Sequence, residues 1–321
     1  MPEACFTHII INKHFKGVFM KEFNAEMRRA LTGPVASIPT PFLRDGEIDY
    51  PTIGKMIDFQ IAAKLKMIFL TPGNSHYNCM NEAEIYEMCR FVTKHTNKRV
   101  PVCVCNFSQG TKRTLDFAKF AVECGTDLLL PYPPNWANSM TADTLTDYYV
   151  EVAKIIPLML IFSPLGGNDG ITSMEKALDR TDNIVAIKDD SCSAISRKMT
   201  IACRERCAIF AGGQKQNYLN IRPYGADGYL STIAMFKPEI AWKFWNAITS
   251  GKDKTAMDIV EKIDMPMFEC LIGLPGSFDS GIHAVMEMHG FGSRVRRAPY
   301  YNLNDQEVEK LRNSFHKMGL I

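Results

Sequence analysis

The residue that could carry out chemistry most directly is Lys188, which follows the apolar residues 184–187 and precedes Asp189, Asp190 and Ser191. The apolar run predicts a buried strand, and Asp190 or Ser191 can cap a helix that begins shortly afterwards. In parallel α/β proteins, the chemistry sits at the carboxyl ends of the strands. Desolvation lowers the pKa of a lysine there, so its neutral amine can attack a carbonyl carbon and form a Schiff base. The alternative is a strand-end lysine that reaches into water.

The segments that follow the other predicted strands hold small hydroxyl and amide groups and two tyrosines. If all strands are parallel, these segments share one rim with Lys188, which is their only cation, and the rim suits a small, oxygen-rich anion such as a 2-oxo acid. Asp189 and Asp190 are the only carboxylates nearby, so we expect no metal site there, and we predict no cofactor. The segments are 39–42, 73–77, Asn106, 131–134, 162–164, 212–213 and 231–232.

The elements that position this rim recur along the chain. Eight apolar runs alternate with stretches of helical spacing at intervals of roughly 20 to 35 residues, the count of a (β/α)₈ TIM barrel. Four further helices are predicted at 238–250, 254–272, 280–288 and 305–318, and Asn304 or Asp305 can cap the last one. The predicted division is an N-terminal extension over 1–30, a barrel over 31–250 and a C-terminal helical lobe over 251–321. The predicted strands start near Val35, Met67, Val100, Leu128, Leu158, Ile184, Ala208 and Gly228.

Composition narrows the class of protein. The 321 residues are 46% hydrophobic and 22% charged with a net charge of +2, so neither nucleic acid nor a membrane surface is an expected partner. Ten cysteines without zinc-type spacing indicate reduced thiols in a cytoplasmic protein. The first thirty residues lack the pattern of a secretory signal. We expect a disordered or loosely docked extension there, with an organelle-targeting segment as the weaker alternative and Met20 or Met27 as a possible true start. The arginines at 294, 296 and 297 are interpreted as solvated surface.

Several motifs, in order, resemble the dihydrodipicolinate synthase and N-acetylneuraminate lyase family, whose members are class I Schiff-base lyases and aldolases. The resemblance extends from about Leu31 to the end of the chain, and it implies a (β/α)₈ barrel with a C-terminal helical extension. It also implies that Lys188 forms an imine with pyruvate or another 2-oxo acid, and that Ser75 helps to hold the carboxylate of that acid. The motifs are 39–42 (PTPF), 45–49 (DGEID), 184–191 (IVAIKDDS) and 225–231 (GADGYLS).

The chain departs from the family pattern at the proton relay. Asn74 stands where the family has the first hydroxyl of the relay, and Ile161 stands where its fifth strand ends in a tyrosine. The arginine that often follows that strand is replaced within residues 165–167, and Tyr132 is one tyrosine where many members have two. Isoleucine cannot transfer a proton, and a positioned acid–base group contributes about 10²- to 10⁴-fold in rate.

Three interpretations remain open. In the first, Tyr77, Tyr132 or His76 supplies the missing acid–base group, although His76 can equally be a polar loop residue. In the second, Lys188 forms an imine but the onward reaction differs from that of the family. In the third, the barrel is a degenerate relative that only binds a ligand.

Our prediction is a lyase, either an aldolase or a hydro-lyase, that acts on pyruvate or a related 2-oxo acid with an altered relay. A homo-oligomer, dimer or tetramer, is expected from the resemblance, with Tyr132 as the candidate for crossing between subunits. The predicted catalytic residues are Lys188, Tyr132 and Tyr77, and the predicted substrate-binding residues are Gly73, Asn74, Ser75, Ile161 and Gly212.

Overall fold

Eight parallel strands with helices between them form a (β/α)₈ TIM barrel, as predicted. The structure, a computed structural model, describes residues 13–107, 109–134, 137, 139–162 and 167–321. Every strand is buried along its whole length, because helices cover the outside of the sheet and side chains fill its interior. The strands are β1 (Gly33–Val35), β2 (Ile68–Phe69), β3 (Val102–Cys105), β4 (Leu128–Leu130), β5 (Leu158–Phe162), β6 (Ile184–Asp189), β7 (Ala208–Ala211) and β8 (Gly228–Leu230).

The helices follow the strands in turn, and several begin at side-chain caps that the sequence provides. Asn81 caps α3, Thr141 caps α5 and Asn304 caps α13, each in a reciprocal pair with the residue three positions later. The helices are α1 (Lys13–Leu31), α2 (Tyr50–Ala62), α3 (Glu82–Thr96), α4 (Thr111–Cys124), α5 (Ala142–Ala153), α6 (Gly167–Arg180), α7 (Ala194–Cys203), α8 (Gln214–Ile221), α9 (Pro238–Thr249), α10 (Asp253–Ile259), α11 (Met265–Ile272), α12 (Ser277–Met288) and α13 (Asp305–Lys317).

The sheet closes between its first and last strands and between its first and second. β1 pairs with β8 in the register Gly33 to Gly228, and a Cβ at Gly228 would lie 2.0 Å from the carbonyl oxygen of Leu31. The β1–β2 seam is thinner. It consists of a single bridge between Ser37 and Phe69 and a hydrogen bond of 3.0 Å from the Ile38 amide to the Phe69 carbonyl. The strands therefore close into a barrel through this seam.

The C-terminal lobe contains a helix break that periodicity did not predict. The expected single helix over 254–272 is α10 and α11 separated by a π-helical turn over Val260–Asp264. Such a turn re-aims a side chain, and here Asp264 reaches the buried amine of Lys215 on α8. The lobe is thereby joined to the barrel by a buried ion pair.

The chain before the barrel is helical from Lys13, and its last turn is in contact with the barrel. Met27 and Leu31 are buried, and the guanidinium of Arg28 donates to the carbonyl oxygens of Arg204 and Cys207. Part of the extension expected over 1–30 is therefore packed, and residues 1–12 lie outside the described residues. Among the described helices, none combines the length and the apolar character that crossing a bilayer requires.

Candidate active site

Lys188 is the last residue but one of β6, and only 5% of it is exposed. Its register neighbours are Ile161 on β5 and Phe210 on β7, and neighbours in register project from the same face of a sheet. Across the barrel, burial raises the pKa of the Cys105 thiol, and the charge of Lys188 acts against that rise. The lysine side chain thus lies inside the barrel near the carboxyl ends of the strands, as the sequence predicted.

The amine of Lys188 is paired with the carboxylate of Asp190, two residues further along the chain. Gly212 at the end of β7 leaves room for this carboxylate, because a Cβ at Gly212 would lie 1.7 Å from Asp190 Oδ1. The Gly212 amide also donates to the Asp189 carbonyl over 2.8 Å. Gly212 therefore lies at the site by making space beside the lysine, and its direct contact with substrate remains a prediction.

Asp189 and Asp190 have different surroundings, although they are adjacent. The Asp189 carboxylate is fully buried and accepts from the Ser191 amide at 3.1 Å and from Asn217 Nδ2 at 2.9 Å. The expected cap of the next helix at Asp190 or Ser191 is wrong, because the capping residue of α7 is Ser193. The turn continues for two more residues, and Asp190 is free to pair with Lys188.

The loop after β2 contains three of the predicted binding residues. The Ser75 hydroxyl is fully buried, donates to the Ile38 carbonyl at 2.8 Å and accepts from the Thr71 amide at 3.2 Å. The half-buried Asn74 donates to Ser37 Oγ at 2.9 Å, whereas Gly73 is exposed. Two hydrogen bonds thus attach the loop to the residues that follow β1, and Gly73 remains exposed to solvent.

The two predicted catalytic tyrosines lie in unlike environments. Tyr77 is fully buried, and burial, followed by the neighbouring Cys105 thiol, raises the pKa of its hydroxyl. Tyr132 is half-buried in the loop after β4, and its amide donates to Asn106 Oδ1 at 2.7 Å. Neither tyrosine hydrogen-bonds to Lys188 in the part of the chain that the structure describes. The loop that would show the arginine replacement, at 163–166, lies outside the described residues.

His76 faces the C-terminal lobe, where sequence reasoning found no site. Its Nε2 lies 2.8 Å from Asp279 Oδ1, and its ring is close to that of His283 on α12. Burial raises the pKa of Asp279, but His76, His283 and Arg296 together outweigh this and lower it to about 2. Burial lowers the pKa of His283 to about 3.

The ligand-type atoms of His76, Asp279 and His283 lie within 4.8 Å of one another, the kind of cluster that can hold a metal ion. Arg296, whose side chain is fully buried, already pairs with the Asp279 carboxylate. The interpretation of this arginine as solvated surface is therefore wrong. Arg296 thus supplies the counter-charge of Asp279 without an ion. No sequence spacing could have revealed the cluster, since about two hundred residues separate His76 from Asp279.

Solved structures share this architecture. The dihydrodipicolinate synthase of Acinetobacter baumannii, crystallised in complex with pyruvate, superimposes with a TM-score of 0.78 at 22% identity over 91% of this chain and 100% of that one. A prophage protein of the dihydrodipicolinic acid synthase family from E. coli K12, also in complex with pyruvate, gives a TM-score of 0.79 at 23% identity over 90% of this chain and 99% of that one. At these identities the likeness establishes the fold.

Sequence comparison adds the family. The chain is 27% identical over 300 residues to the 4-hydroxy-tetrahydrodipicolinate synthase of Lachnoclostridium phytofermentans, a match that covers 90% of this chain and 99% of the relative. The sequence model of the dihydrodipicolinate synthetase family matches residues 30–318, which include the barrel and nearly all of the C-terminal lobe. A strand-end lysine inside a (β/α)₈ barrel and a match over this length lead to one conclusion: the chain belongs to the dihydrodipicolinate synthetase family.

Proposed function

We propose that this protein is a Schiff-base-forming lyase, an aldolase or hydro-lyase, that acts on pyruvate or a related 2-oxo acid through Lys188. The observation that carries the proposal is the position of this lysine, which is almost fully buried at the carboxyl end of β6 and faces the barrel interior. Relatives of the same family are named as synthases and lyases, and two with the same fold were crystallised with pyruvate. These names support the chemistry without defining the substrate of this chain.

The proposed reaction begins with attack of the Lys188 amine on the C2 carbonyl of the 2-oxo acid. We place the carboxylate of the acid at the loop of Gly73, Asn74 and Ser75, which the Ser75 hydroxyl holds in place through its bonds to the Ile38 carbonyl and the Thr71 amide. The protonated imine then accepts electrons while a C–C or C–O bond of the substrate breaks. Apolar Ile161 beside the lysine favours a substrate without an anionic group on the β5 side.

Later proton transfer to or from the departing fragment is assigned to a tyrosine. Tyr132 is the better placed of the two candidates, because it is half-exposed in a loop at the carboxyl end of β4. The raised pKa of buried Tyr77 keeps its hydroxyl protonated, so Tyr77 can donate a hydrogen bond but releases a proton reluctantly.

Borohydride trapping with pyruvate, followed by intact-mass measurement and peptide mapping, tests the proposal. We expect one reduced adduct per chain, located on Lys188, and none in Lys188→Ala. Lys119→Ala, which removes an exposed lysine from α4, is the matched control and should be labelled like the wild type. Turnover that persists in Lys188→Ala would contradict the scheme.

A degenerate, ligand-binding relative is the second candidate. The observation that favours it is Ile161, an aliphatic side chain beside Lys188 at the place where the resemblance calls for a relay tyrosine. This candidate predicts saturable thermal stabilisation by 2-oxo acids with no borohydride adduct from pyruvate or from a panel of longer 2-oxo acids.

The cellular setting and assembly are proposed from the sequence and the resemblance. A cytoplasmic location fits the nine described cysteines, all of which are free thiols. A homo-oligomer, dimer or tetramer, is checked by sedimentation velocity over a range of protein concentrations. Nucleic acid and membranes are not among the proposed partners.

A further inference from the structure

We infer that Asp190 is the acid–base residue that moves protons at Lys188 during imine formation. The inference rests on the proposed Schiff-base function and concerns the proton carrier of that site. Asp190 Oδ1 is hydrogen-bonded to Lys188 Nζ, whereas both strand neighbours of the lysine, Ile161 and Phe210, carry no proton-transferring group. In the described part of the chain, this carboxylate is the one acid–base group in contact with the lysine amine.

Two glycines that follow β7, Gly212 and Gly213, leave room for Asp190 and its turn because they have no side chains. A Cβ at Gly212 would overlap the Asp190 carboxylate, at 1.7 Å from Oδ1 and 2.9 Å from Cγ. A Cβ at Gly213 would lie 2.2 Å from the sulfur of Cys192, which has a left-handed backbone with φ of 51°. The turn after β6 therefore fits into the gap left by these glycines, and this fit holds the carboxylate beside the amine.

The backbone on either side of Asp190 is also fixed. Its amide donates to the Phe162 carbonyl at 3.2 Å, and the preceding carbonyl, of Asp189, accepts from the Gly212 amide at 2.8 Å. β6 thus continues to hydrogen-bond to both neighbouring chain segments at the point where the carboxylate projects. A side chain on so fixed a backbone keeps the geometry that proton transfer requires.

In the Lys188–Asp190 pair, the carboxylate is more exposed than the amine, as a group that exchanges protons with substrate or water must be. The side chain of Lys188 is 6% exposed and that of Asp190 is 29% exposed. Asp190 therefore has access to the solvent of the barrel mouth while it contacts the buried amine. A proton taken from the lysine can be passed to substrate oxygen or to water from this position.

The neighbouring carboxylate shows what a structural aspartate looks like in the same turn. Asp189 is fully buried and its oxygens are occupied by Ser191 and Asn217. Among the described residues, the Asp190 carboxylate bonds to the lysine and to no other group of the turn. Asp189 thus stabilises the turn, whereas Asp190 contacts the lysine amine.

The proton transfers balance as follows. The Asp190 carboxylate accepts a proton from the Lys188 ammonium, and the free amine adds to the C2 carbonyl carbon. The addition product becomes a neutral carbinolamine by shift of a second nitrogen proton to the oxygen. Asp190 then donates its proton to the carbinolamine hydroxyl, the C–O bond breaks, and water leaves. The products are the protonated imine, one water and the Asp190 carboxylate, so no external acid or base is consumed.

The experiment compares Asp190→Asn with the wild type by the rate of borohydride-trapped adduct formation with pyruvate. We expect trapping to slow by about 10²- to 10⁴-fold while the adduct still maps to Lys188, because the nucleophile remains but its proton carrier is lost. The rate in Asp190→Asn should also rise continuously with pH between about 6 and 9, since solvent must now remove the lysine proton. Partial rescue is expected in Asp190→Ala with added formate.

Asp179→Asn is the matched control, because Asp179 is an exposed, ion-paired aspartate near the end of α6, away from the mouth. Trapping in Asp190→Asn at the wild-type rate, with the wild-type pH profile, would overturn the inference. If Asp190→Asn does not fold, Asp190→Ala with and without added formate gives the same reading, and a wild-type rate in Asp190→Ala without formate would overturn the inference. Absence of any adduct in the wild type would instead contradict the proposed Schiff-base function.

Discussion

Among the described residues, two buried lysines each pair with an aspartate, and the two pairs differ in position, exposure and surroundings. Lys188 and Asp190 lie two residues apart at the end of β6, whereas Lys215 and Asp264 come from α8 and from the π-helical turn of the C-terminal lobe. The second pair is closed to solvent, with side chains 0% and 1% exposed. The first pair has one member, Asp190, that reaches the mouth.

Their surroundings give each pair a different task. The ammonium of Lys215 lies 5.9 Å from the ring centres of Tyr229 and Phe244, and its side chain is closed to solvent. Burial lowers the pKa of Lys215, and Asp264 acts against this shift. A buried lysine is therefore not by itself a reactive one. Lys188 is a candidate nucleophile because it lies at a strand end and its partner Asp190 is accessible to solvent. Lys215 is a structural residue, because it and its partner are both closed to solvent.

The largest effect is expected from breaking the internal pair. Lys215→Met leaves Asp264 buried without its counter-charge, and such a charge costs about 3 to 5 kcal/mol. We therefore expect Lys215→Met to lower the free energy of unfolding by this amount, measured by urea denaturation. Lys188→Met should lower it by much less while abolishing the pyruvate adduct, because Asp190 can be hydrated.

The double variant Lys215→Met/Asp264→Leu sharpens this test. Replacing both members of a buried pair by apolar groups removes the uncompensated charge, so most of the lost stability should return. A double variant no more stable than Lys215→Met would show that the pair itself, and not the orphaned charge, stabilises the junction of barrel and lobe.

A smaller effect on stability is expected from the buried imidazole of His283, which stays neutral in the folded protein. The pKa of His283 is about 3 in the folded protein, mainly because of burial, against 6.5 for the unfolded side chain. The unfolded chain therefore binds this proton first, and stability is complete above pH 6.5 and falls as the pH decreases toward 3. The slope is about 1.4 kcal/mol per pH unit, which gives a loss of about 2 to 3 kcal/mol at pH 4.5.

His283→Gln should remove this part of the acid dependence in urea denaturation between pH 7 and 4.5. The charged groups around His283 are His76, Asp279 and Arg296, and they remain in the variant. Asp279, with a folded pKa of about 2, loses its contribution only below about pH 4, so it does not obscure the measured range. An unchanged slope in His283→Gln would assign the acid sensitivity to another group.

The smallest effect concerns the space beside the Lys188–Asp190 pair. Gly212→Ala forces the Asp190 carboxylate away from the lysine, because the added methyl would overlap its oxygen. We expect pyruvate trapping to slow by at least about tenfold, which corresponds to about 1.4 kcal/mol. Gly110→Ala is the control, since its added methyl would meet nothing within 4 Å. Equal trapping rates in both variants would show that the space left by Gly212 does not affect imine formation.

The sequence predicted the barrel well because strand burial is a local property of composition. Runs such as Leu128–Leu130 and Leu158–Phe162 are apolar throughout, and their starts in the structure are the predicted ones. The position of Lys188 at a strand end was predictable for the same reason, since it follows from the strand before it. The family resemblance placed Ile161 near the end of the fifth strand, and the structure pairs it in register with Lys188.

The rest of the site depends on contacts that a linear pattern does not encode. Asp190 looked like a helix cap because aspartate favours that position, but Ser193 takes it, and the carboxylate pairs with the lysine instead. The meeting of His76 with Asp279 requires the lobe to pack on the barrel. The π-helical turn at Val260–Asp264 is stabilised by the tertiary partner Lys215, which helical periodicity cannot show.

One amide at the seam between β1 and β2, that of Ile38, can report ligand binding through its rate of hydrogen exchange. The Ile38 amide donates across this seam, and its own carbonyl accepts from Ser75 in the loop proposed to receive the substrate carboxylate. Local opening of the seam and release of the loop thus both involve the peptide groups of Ile38. By thermodynamic linkage, a ligand that binds only the closed loop slows hydrogen exchange at this one amide by the factor 1 + [L]/Kd. Ligand affinity could then be read at Ile38 even for a compound that is never turned over.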